Sequence, residues 1–511
     1  MHNSKKLLWL IIAATLLRCI TALTTELGND EVYYLTYAQH LQWNYFDHPP
    51  MVALLIRLTT FNLSLTNEFF VRLGPVLLAA VNTWLIYRIA SKLKNSNSGL
   101  LAALLFTASP YCSIIAGTFI LPDSPQLFFY MLSISLLVDI AVSKAINAEQ
   151  RLKLLLFGVC SGLCIMSKVH GVFLWLGFGL YIITAKRKLL QEGTLYAAAA
   201  ITALIVSPIL VWNLQNHFAT YTFHSSRVTA GNTIHADSFL RELAGGILYN
   251  NPVNYFLFVV TTVLLLKDKR LLRTDVIKLL LLLALPLIII LLGISLTRDT
   301  LPHWSGPAYI SFILITAVYL PSMLLRPAFL KKNIFNISYA AIIFLTGMIT
   351  AGLLAVNFYP GTAGKKDIVL LGDGDFTLDM YGWKETAKKF NALYSRSKEK
   401  NITTTSFIIS NKWFPAAHID NYIAQPMHLD FIALGDTGDI HTYAWLNNYR
   451  KQLQQDDDAW FITTSNNFQN PEEKYAGIFK TISKPDTITI KRSGLPAKNI
   501  LIYLLKSYRQ K

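Results

Sequence analysis

The sequence predicts an α-helical polytopic membrane protein that ends in a soluble α/β domain. Apolar runs of membrane-spanning length recur through the first two thirds of the chain. Of its 511 residues 53% are hydrophobic, and the mean hydropathy is +0.39, too apolar for a soluble chain of this length. After about residue 357 the apolar runs shorten to strand length and alternate with helical stretches. The boundary divides a transmembrane domain, 1–356, from an α/β domain, 357–511.

About eleven spans are expected, over 7–23, 69–90, 99–116, 126–142, 154–167, 172–184, 195–212, 253–266, 276–296, 305–325 and 334–356. Lys5 and Lys6 precede the first, which has no small-x-small cleavage pattern after it and is read as a retained helix. Between the first two spans, 32–41 has the pattern of a short amphipathic helix lying in the membrane interface.

The formal net charge of +16 does not point to nucleic acid, because Lys and Arg sit in short clusters between apolar runs. With the N-terminus inside, the clusters at Lys92/Lys94, Lys144/Lys153, 186–188, 267–273 and 326–332 all fall on the cytoplasmic side. The loops at 29–55, 122–125, 213–251 and 297–304 then fall outside, as does the C-terminal domain. Basic side chains at membrane ends also suit anionic lipid headgroups. The four cysteines lie in or beside apolar segments, with no histidine at metal-ligand spacing, and read as small buried residues.

In the C-terminal domain, strands are expected at 368–371, 406–409, 431–434, 460–463 and 500–505. Helices are expected at 383–394, 416–423 and 443–453. Gly372-Asp373-Gly374-Asp375 is too short for a nucleotide-binding fingerprint and reads as a turn.

The chemistry gathers in the outer loops. Asp30 and Glu31 are adjacent carboxylates close to the membrane, where ionisable groups are costly and usually functional. Either can act as a general base on an acceptor hydroxyl or amine, or as a loop charge or helix cap. Asp123, in Leu-Pro-Asp-Ser-Pro, reads first as a helix N-cap but shares the outer side with Asp30 and Glu31. Lys168 and His170 lie at another outer turn, where a lysine calls for an anionic partner. Arg227, His217, His224 and His303 join them outside. This collection suits a negatively charged substrate, since Arg and Lys bind phosphate oxygens well. Tyr33, Tyr34, Trp43, Tyr45, Phe46 and Trp304 are belt aromatics or sugar-stacking rings. Asp47-His48-Pro49-Pro50 either restarts a helix or adds polar contacts. Asp30 or Asp123 could hold a divalent cation, but two outer carboxylates are weak evidence for one, and no cofactor is required.

These stretches together resemble the polytopic GT-C glycosyltransferases that use a polyprenyl-phosphate sugar. The likeness is to bacterial relatives of protein O-mannosyltransferases and lipid A aminoarabinose transferases, glycosyltransferase families 39 and 83. Asn29-Asp30-Glu31 with Tyr33-Tyr34 resembles their first-loop acidic motif, and Leu121-Pro122-Asp123 their second-loop aspartate. Tyr45-Phe46-Asp47-His48-Pro49-Pro50-Met51 resembles a Phe-Asp-His-Pro-Pro signature. Ser167-Lys168-Val169-His170-Gly171 resembles Ser-Lys-Tyr-x-Gly, with valine where tyrosine is common. Val211-Trp212-Asn213 and the run to Ser226-Arg227 resemble a fourth-loop motif. His303-Trp304-Ser305-Gly306-Pro307-Ala308-Tyr309 resembles Asn-Trp-Pro-Ala-Pro-Ala-Tyr, departing at His303, Ser305 and Gly306. The likeness covers 1–325 well and the tail loosely.

The resemblance implies a transferase of the bacterial inner membrane with its site facing the periplasm, an undecaprenyl-type donor, an extracytoplasmic acceptor, and inversion at the anomeric carbon. It makes Asp30 the base, with Glu31 orienting it or the acceptor, and Asp123 positioning the acceptor or a cation. Lys168 and Arg227 would neutralise the lipid-phosphate leaving group, with His48 and His303 as further phosphate contacts. Tyr33, Tyr34, Asp47, His170 and Trp304 complete the expected substrate-binding set. The rival reading is a transporter or flippase of lipid-linked saccharides. It expects polar groups near the bilayer midplane and repeated halves, whereas the spans here are poor in charge.

Overall fold

The computed structural model describes residues 2–229, 233–323 and 327–509. The chain forms two compact units. One comprises Met1–Ala22 and Gln42–Ile349, the other Leu23–Leu41 and Thr350–Lys511. The second unit therefore takes in the acidic segment as well as the C-terminal region expected at 357–511.

The first unit is helical. Eight helices among the described residues, counting Ala328–Phe358 at its end, are long and apolar enough to cross a membrane. Three further expected spans are helical in a different form. Ser96–Ala108 and Val169–Ala185 are shorter, and Pro252–Lys267 forms a bent pair with Ala236–Tyr249 at 100°. Asn251 holds that bend, its amide donating to the carbonyls of Ala108 (3.0 Å) and Ala341 (2.8 Å). Asparagine also starts the helices Glu68–Leu93, Ser96–Ala108 and Ala148–Ser167, where its side chain accepts a first-turn N–H. Small residues let these helices approach closely. A Cβ on Gly158 would lie 2.5 Å from the Ala198 carbonyl oxygen, so Ala148–Ser167 packs against Gly193–Gln215 backbone to backbone. Arg326, in the last expected basic loop, lies outside the described residues.

The second unit is built on a six-stranded sheet: β1 (Phe407–Ser410), β2 (Asp430–Ala433), β3 (Ala459–Thr464), β4 (Phe479–Ile482), β5 (Asp486–Arg492) and β6 (Leu495–Tyr508). The order is β2-β1-β3-β6-β4, with β5 also on β6. β2, β1 and β3 are parallel, and β6 runs antiparallel to β3, β4 and β5. β5 and β4 occupy successive stretches of the same side of β6. The β5–β6 hairpin turns on Ser493 and Gly494, both at positive φ, as the two-residue turn that fits strand twist requires. β4 and β5 were not expected from sequence.

Two expectations change here. The strand expected at 368–371 is a turn, because the Asp367 carboxylate accepts from the Val369 and Leu370 N–H groups, and Ile368 and Val369 stay exposed. The helix expected at 443–453 stops at Tyr449, after Tyr443–Leu446 and a short 3-10 turn. Gly372-Asp373-Gly374-Asp375 is a turn as expected, with both glycines at positive φ, but Asp375 also has a structural use. It forms a fully buried ion pair with Arg492 (2.8 Å), which in turn donates to the Val356 carbonyl (3.2 Å).

Candidate functional site

The acidic segment is a buried part of the second unit rather than an interfacial helix. Asn29–Gln39 is helical, and Glu31 through Ala38 are buried. Glu26 caps the helix Trp383–Glu399, accepting from the N–H groups of Trp383 (2.7 Å) and Lys384 (3.0 Å). The Leu27 N–H donates to the Tyr422 hydroxyl (2.9 Å). Asn29 Oδ1 lies 3.0 Å from His418 Nε2, and His418 stacks on Trp383 at 4.2 Å. Lys498 Nζ sits 4.2 Å above the same indole and donates to the Leu378 carbonyl (3.0 Å). Burial pushes the Lys498 ammonium down to about 8 and the Asp379 carboxyl beside Asn29 up to about 6.

Within that frame the two adjacent carboxylates diverge. Glu31 is buried and accepts from the Gly28 N–H (2.9 Å), capping the start of its own helix from within its first turn. Asp30 is exposed. Tyr33 and Tyr34 are buried in the second unit. The Tyr33 ring packs on Trp413 at 5.1 Å, and its hydroxyl accepts from the Thr442 N–H (3.2 Å).

The remaining expected residues lie in the first unit and come together there. Lys168 Nζ is 2.8 Å from Asp123 Oδ2, both side chains almost fully buried. Tyr111 donates to the other Asp123 oxygen (3.2 Å). Asp123 is the first residue of the helix Asp123–Val142 but caps no N–H; it is spent on Lys168 and Tyr111. Lys168 itself sits in the break between Ala148–Ser167 and Val169–Gly171, which turns its ammonium inward. Lys168, with the imidazoles of His303 and His170, forms the electrostatic surroundings of Asp123.

A second group joins this one through rings. His170 lies 5.6 Å from Trp304, and the Arg227 guanidinium covers Trp304 at 5.7 Å and Phe223 at 5.2 Å. Phe223 packs on Phe46 at 4.6 Å. His224 Nε2 lies 2.7 Å from the Asp47 carbonyl, and His48 lies 6.2 Å from His224. Asn44 and Thr220 fasten this loop, the amide donating to the hydroxyl (2.9 Å) and the hydroxyl to the Tyr45 carbonyl (3.0 Å). His48 is held neutral, well below the usual imidazole range, by burial and then by Lys168, His224, His170 and Arg227. His224 is lowered as well, chiefly by burial.

The arrangement is a basic cluster ready for an anion. Lys168, Arg227 and the imidazoles of His48, His170, His224 and His303 are coupled through space, with Asp123 anchoring the lysine. One of its parts escaped the sequence: Tyr111 lies between Ser109-Pro110 and Cys112-Ser113 in an otherwise apolar run, with nothing local to mark its contact with Asp123. Elsewhere in the first unit Glu242 is buried and accepts from the Thr300 hydroxyl (2.7 Å). Among the described residues no group of three or more His, Cys, Asp and Glu is placed to hold a metal ion.

Residues 47–212 match the family described as dolichyl-phosphate-mannose-protein mannosyltransferase. A lipid A galacturonosyltransferase, RgtD of Rhizobium johnstonii, is 23% identical over 293 residues, 56% of this chain and 59% of that protein. The chain thus spans less than two thirds of the curated relative it matches. ArnT from Cupriavidus metallidurans superposes in its apo state with a TM-score of 0.67 at 11% identity, covering 98% of both chains. The same protein bound to undecaprenyl phosphate gives 0.62 at 12% identity over the same coverage. The fold expected from sequence, a GT-C-type helical membrane unit with a C-terminal sheet domain, is the fold found.

Proposed function

We propose that this chain, a GT-C-type protein of the ArnT and protein O-mannosyltransferase kind, transfers a sugar from a polyprenyl phosphate to an extracytoplasmic acceptor. The observation that carries the reading is the basic cluster around the Lys168–Asp123 pair in the first unit. A lipid-phosphate leaving group gains charge as its bond to the anomeric carbon breaks, and Lys168 and Arg227 meet that charge where it develops. His48, His224 and His303, neutral in the free protein, serve as hydrogen-bonding groups to phosphate oxygens rather than as fixed charges.

Asp30 is the base. It is exposed, whereas Glu31 is committed to its helix cap. The acceptor loses its proton to Asp30, its lone pair attacks the anomeric carbon, and the carbon–oxygen bond to phosphate breaks with its electrons on the leaving oxygen. Attack opposite the leaving group inverts the centre. Asp123 is a positioning group in this scheme: it holds the Lys168 Nζ in place at 2.8 Å. The similarity to a lipid A galacturonosyltransferase supports a lipid A-like acceptor first, ahead of glycan, other lipid or protein. The basic loops support an inner-membrane protein with its N-terminus cytoplasmic and its C-terminal unit periplasmic.

The test uses purified protein in lipid, radiolabelled polyprenyl-phosphate sugars and cell-envelope acceptor. Release of polyprenyl phosphate by the parent, lost in Asp30→Asn, is the expected result. Turnover that survives in Asp30→Asn would move the base elsewhere. Vectorial movement of intact donor without transfer would replace the reading with a flippase.

A further inference from the structure

We infer a binding site for the phosphate of an anionic glycerophospholipid at the end of the first unit where four helices meet. The helices Asp123–Val142 and Val172–Ala185 end there, and Ala148–Ser167 and Gly193–Gln215 begin there. Between them lies a crevice of about 710 Å³. Lys144, Lys186, Arg187 and Lys188 line it; none is in an ion pair among the described residues, and the Asp275 carboxylate acts through space on Lys186 alone of the four. The one acidic lining residue, Glu192, is already paired with Arg151 at 2.9 Å.

The four cations divide by use. Lys186 is structural: it donates to the carbonyls of Ala141 (3.0 Å) and Ser143 (2.7 Å) and closes the end of the helix Asp123–Val142. Arg187 spends only its Nε, on the Ile183 carbonyl (2.8 Å), leaving its terminal nitrogens. Lys144 and Lys188 are exposed at the rim. Gln150 lines the floor, is over nine-tenths buried, and its Oε1 has no hydrogen-bond partner among the described residues. Such an acceptor suits a headgroup hydroxyl beside the phosphate.

The surroundings favour a lipid over a soluble phosphate. Val142, Ile183 and Leu190 flank the crevice and are 58%, 54% and 45% exposed. Large apolar side chains beside a basic crevice, at the ends of apolar helices, suit acyl chains below a charged headgroup. The site does not depend on the sugar-transfer reading, and nothing in that chemistry uses these residues.

Full-length protein in detergent, titrated with phosphatidylglycerol or phosphatidylcholine and read by native mass spectrometry, tests the site. The parent is expected to retain phosphatidylglycerol over phosphatidylcholine by roughly tenfold or more. Lys144→Gln/Arg187→Gln/Lys188→Gln should lose that preference with an unchanged melting temperature, since all three are exposed. Lys331→Gln/Lys332→Gln, which removes charge elsewhere, should keep it. Should the triple variant misfold, Lys144→Gln/Lys188→Gln leaves the Arg187 backbone contact in place and should lose at least part of the preference. Equal retention by parent and triple variant would overturn the site. Full displacement of the lipid by inorganic phosphate would overturn the lipid as its ligand.

Discussion

Lys168 and Asp123 form a buried ion pair in the first unit, Nζ to Oδ2 at 2.8 Å, with Tyr111 on the second carboxylate oxygen at 3.2 Å. Removing one partner leaves an uncompensated charge where water does not reach. Lys168→Met and Asp123→Leu should each cost about 3–5 kcal/mol. The double variant should cost clearly less than the sum. Thermal melting of all four forms gives the coupling, and additive losses would mean that the pair is not one interaction.

The two acidic neighbours should separate by function. Glu31→Gln keeps an acceptor oxygen for the Gly28 N–H, so stability and turnover should stay near parent values. Glu31→Ala should lose about 1 kcal/mol through the cap. Asp30→Asn should fold normally and lose turnover by a factor of about 100 or more. Parallel melting and transfer assays check all three, and an active Asp30→Asn protein would remove Asp30 from the chemistry.

Asn29 links Asp30 to the core of the second unit through His418. Asn29→Ala should lower kcat about tenfold while leaving KM for the donor near its parent value. A matched rise in KM would indicate a binding role instead.

Lys498 makes the second unit pH-sensitive. Its folded value of about 8 lies below that of an unfolded lysine, so the unfolded chain binds more protons between about pH 8 and 10.5. Stability should therefore rise across that window, by a few kcal/mol. Asp379, raised to about 6, acts oppositely at acid pH: stability gained from its protonation is lost as pH climbs from about 4 to about 6. Denaturant melts of the parent against Lys498→Met check the alkaline limb, which should flatten in the variant.

Gly306 faces the Tyr111 ring so closely that a Cβ would lie 2.3 Å from Cδ2. Gly306→Ala should cost about 1–3 kcal/mol by overpacking and should weaken the Tyr111–Asp123 contact. Gly306→Ala combined with Tyr111→Leu should recover part of the lost stability; no recovery would place the strain elsewhere.

Much of this molecule was legible from hydropathic period. Among the described residues each expected span contains a helix, because an apolar run in lipid has no other way to satisfy its backbone, although the one expected at 99–116 breaks after Ala108. The parallel strands β1 to β3 were visible as short apolar runs. β4 was not, since Lys480 and Thr481 interrupt Phe479 and Ile482 and the strand exists through pairing with β6. Of the site, Asp123, Lys168, His170, His224, His303 and Arg227 were named from their shared side of the membrane, and His48 and Trp304 through the family resemblance; the fold brings these together, while His217 stays exposed. The partners that hold them, Tyr111 and the Asn44–Thr220 bond, depend on contacts across long sequence separations and leave no local pattern. Nor could periodicity show that Asn29–Gln39 joins a unit whose other residues begin at Thr350.

That discontinuity decides when the acidic helix can mature. Leu23–Leu41 leaves the ribosome more than three hundred residues before its partners Trp383, Trp413, His418, Tyr422 and Thr442. Through most of synthesis it must wait without its packing partners, and it acquires them only once the chain has passed Thr442. The C-terminal unit is consequently not a cassette. A chimera that exchanges it at residue 350 alone would carry an orphaned docking helix, and a workable exchange must move both pieces together.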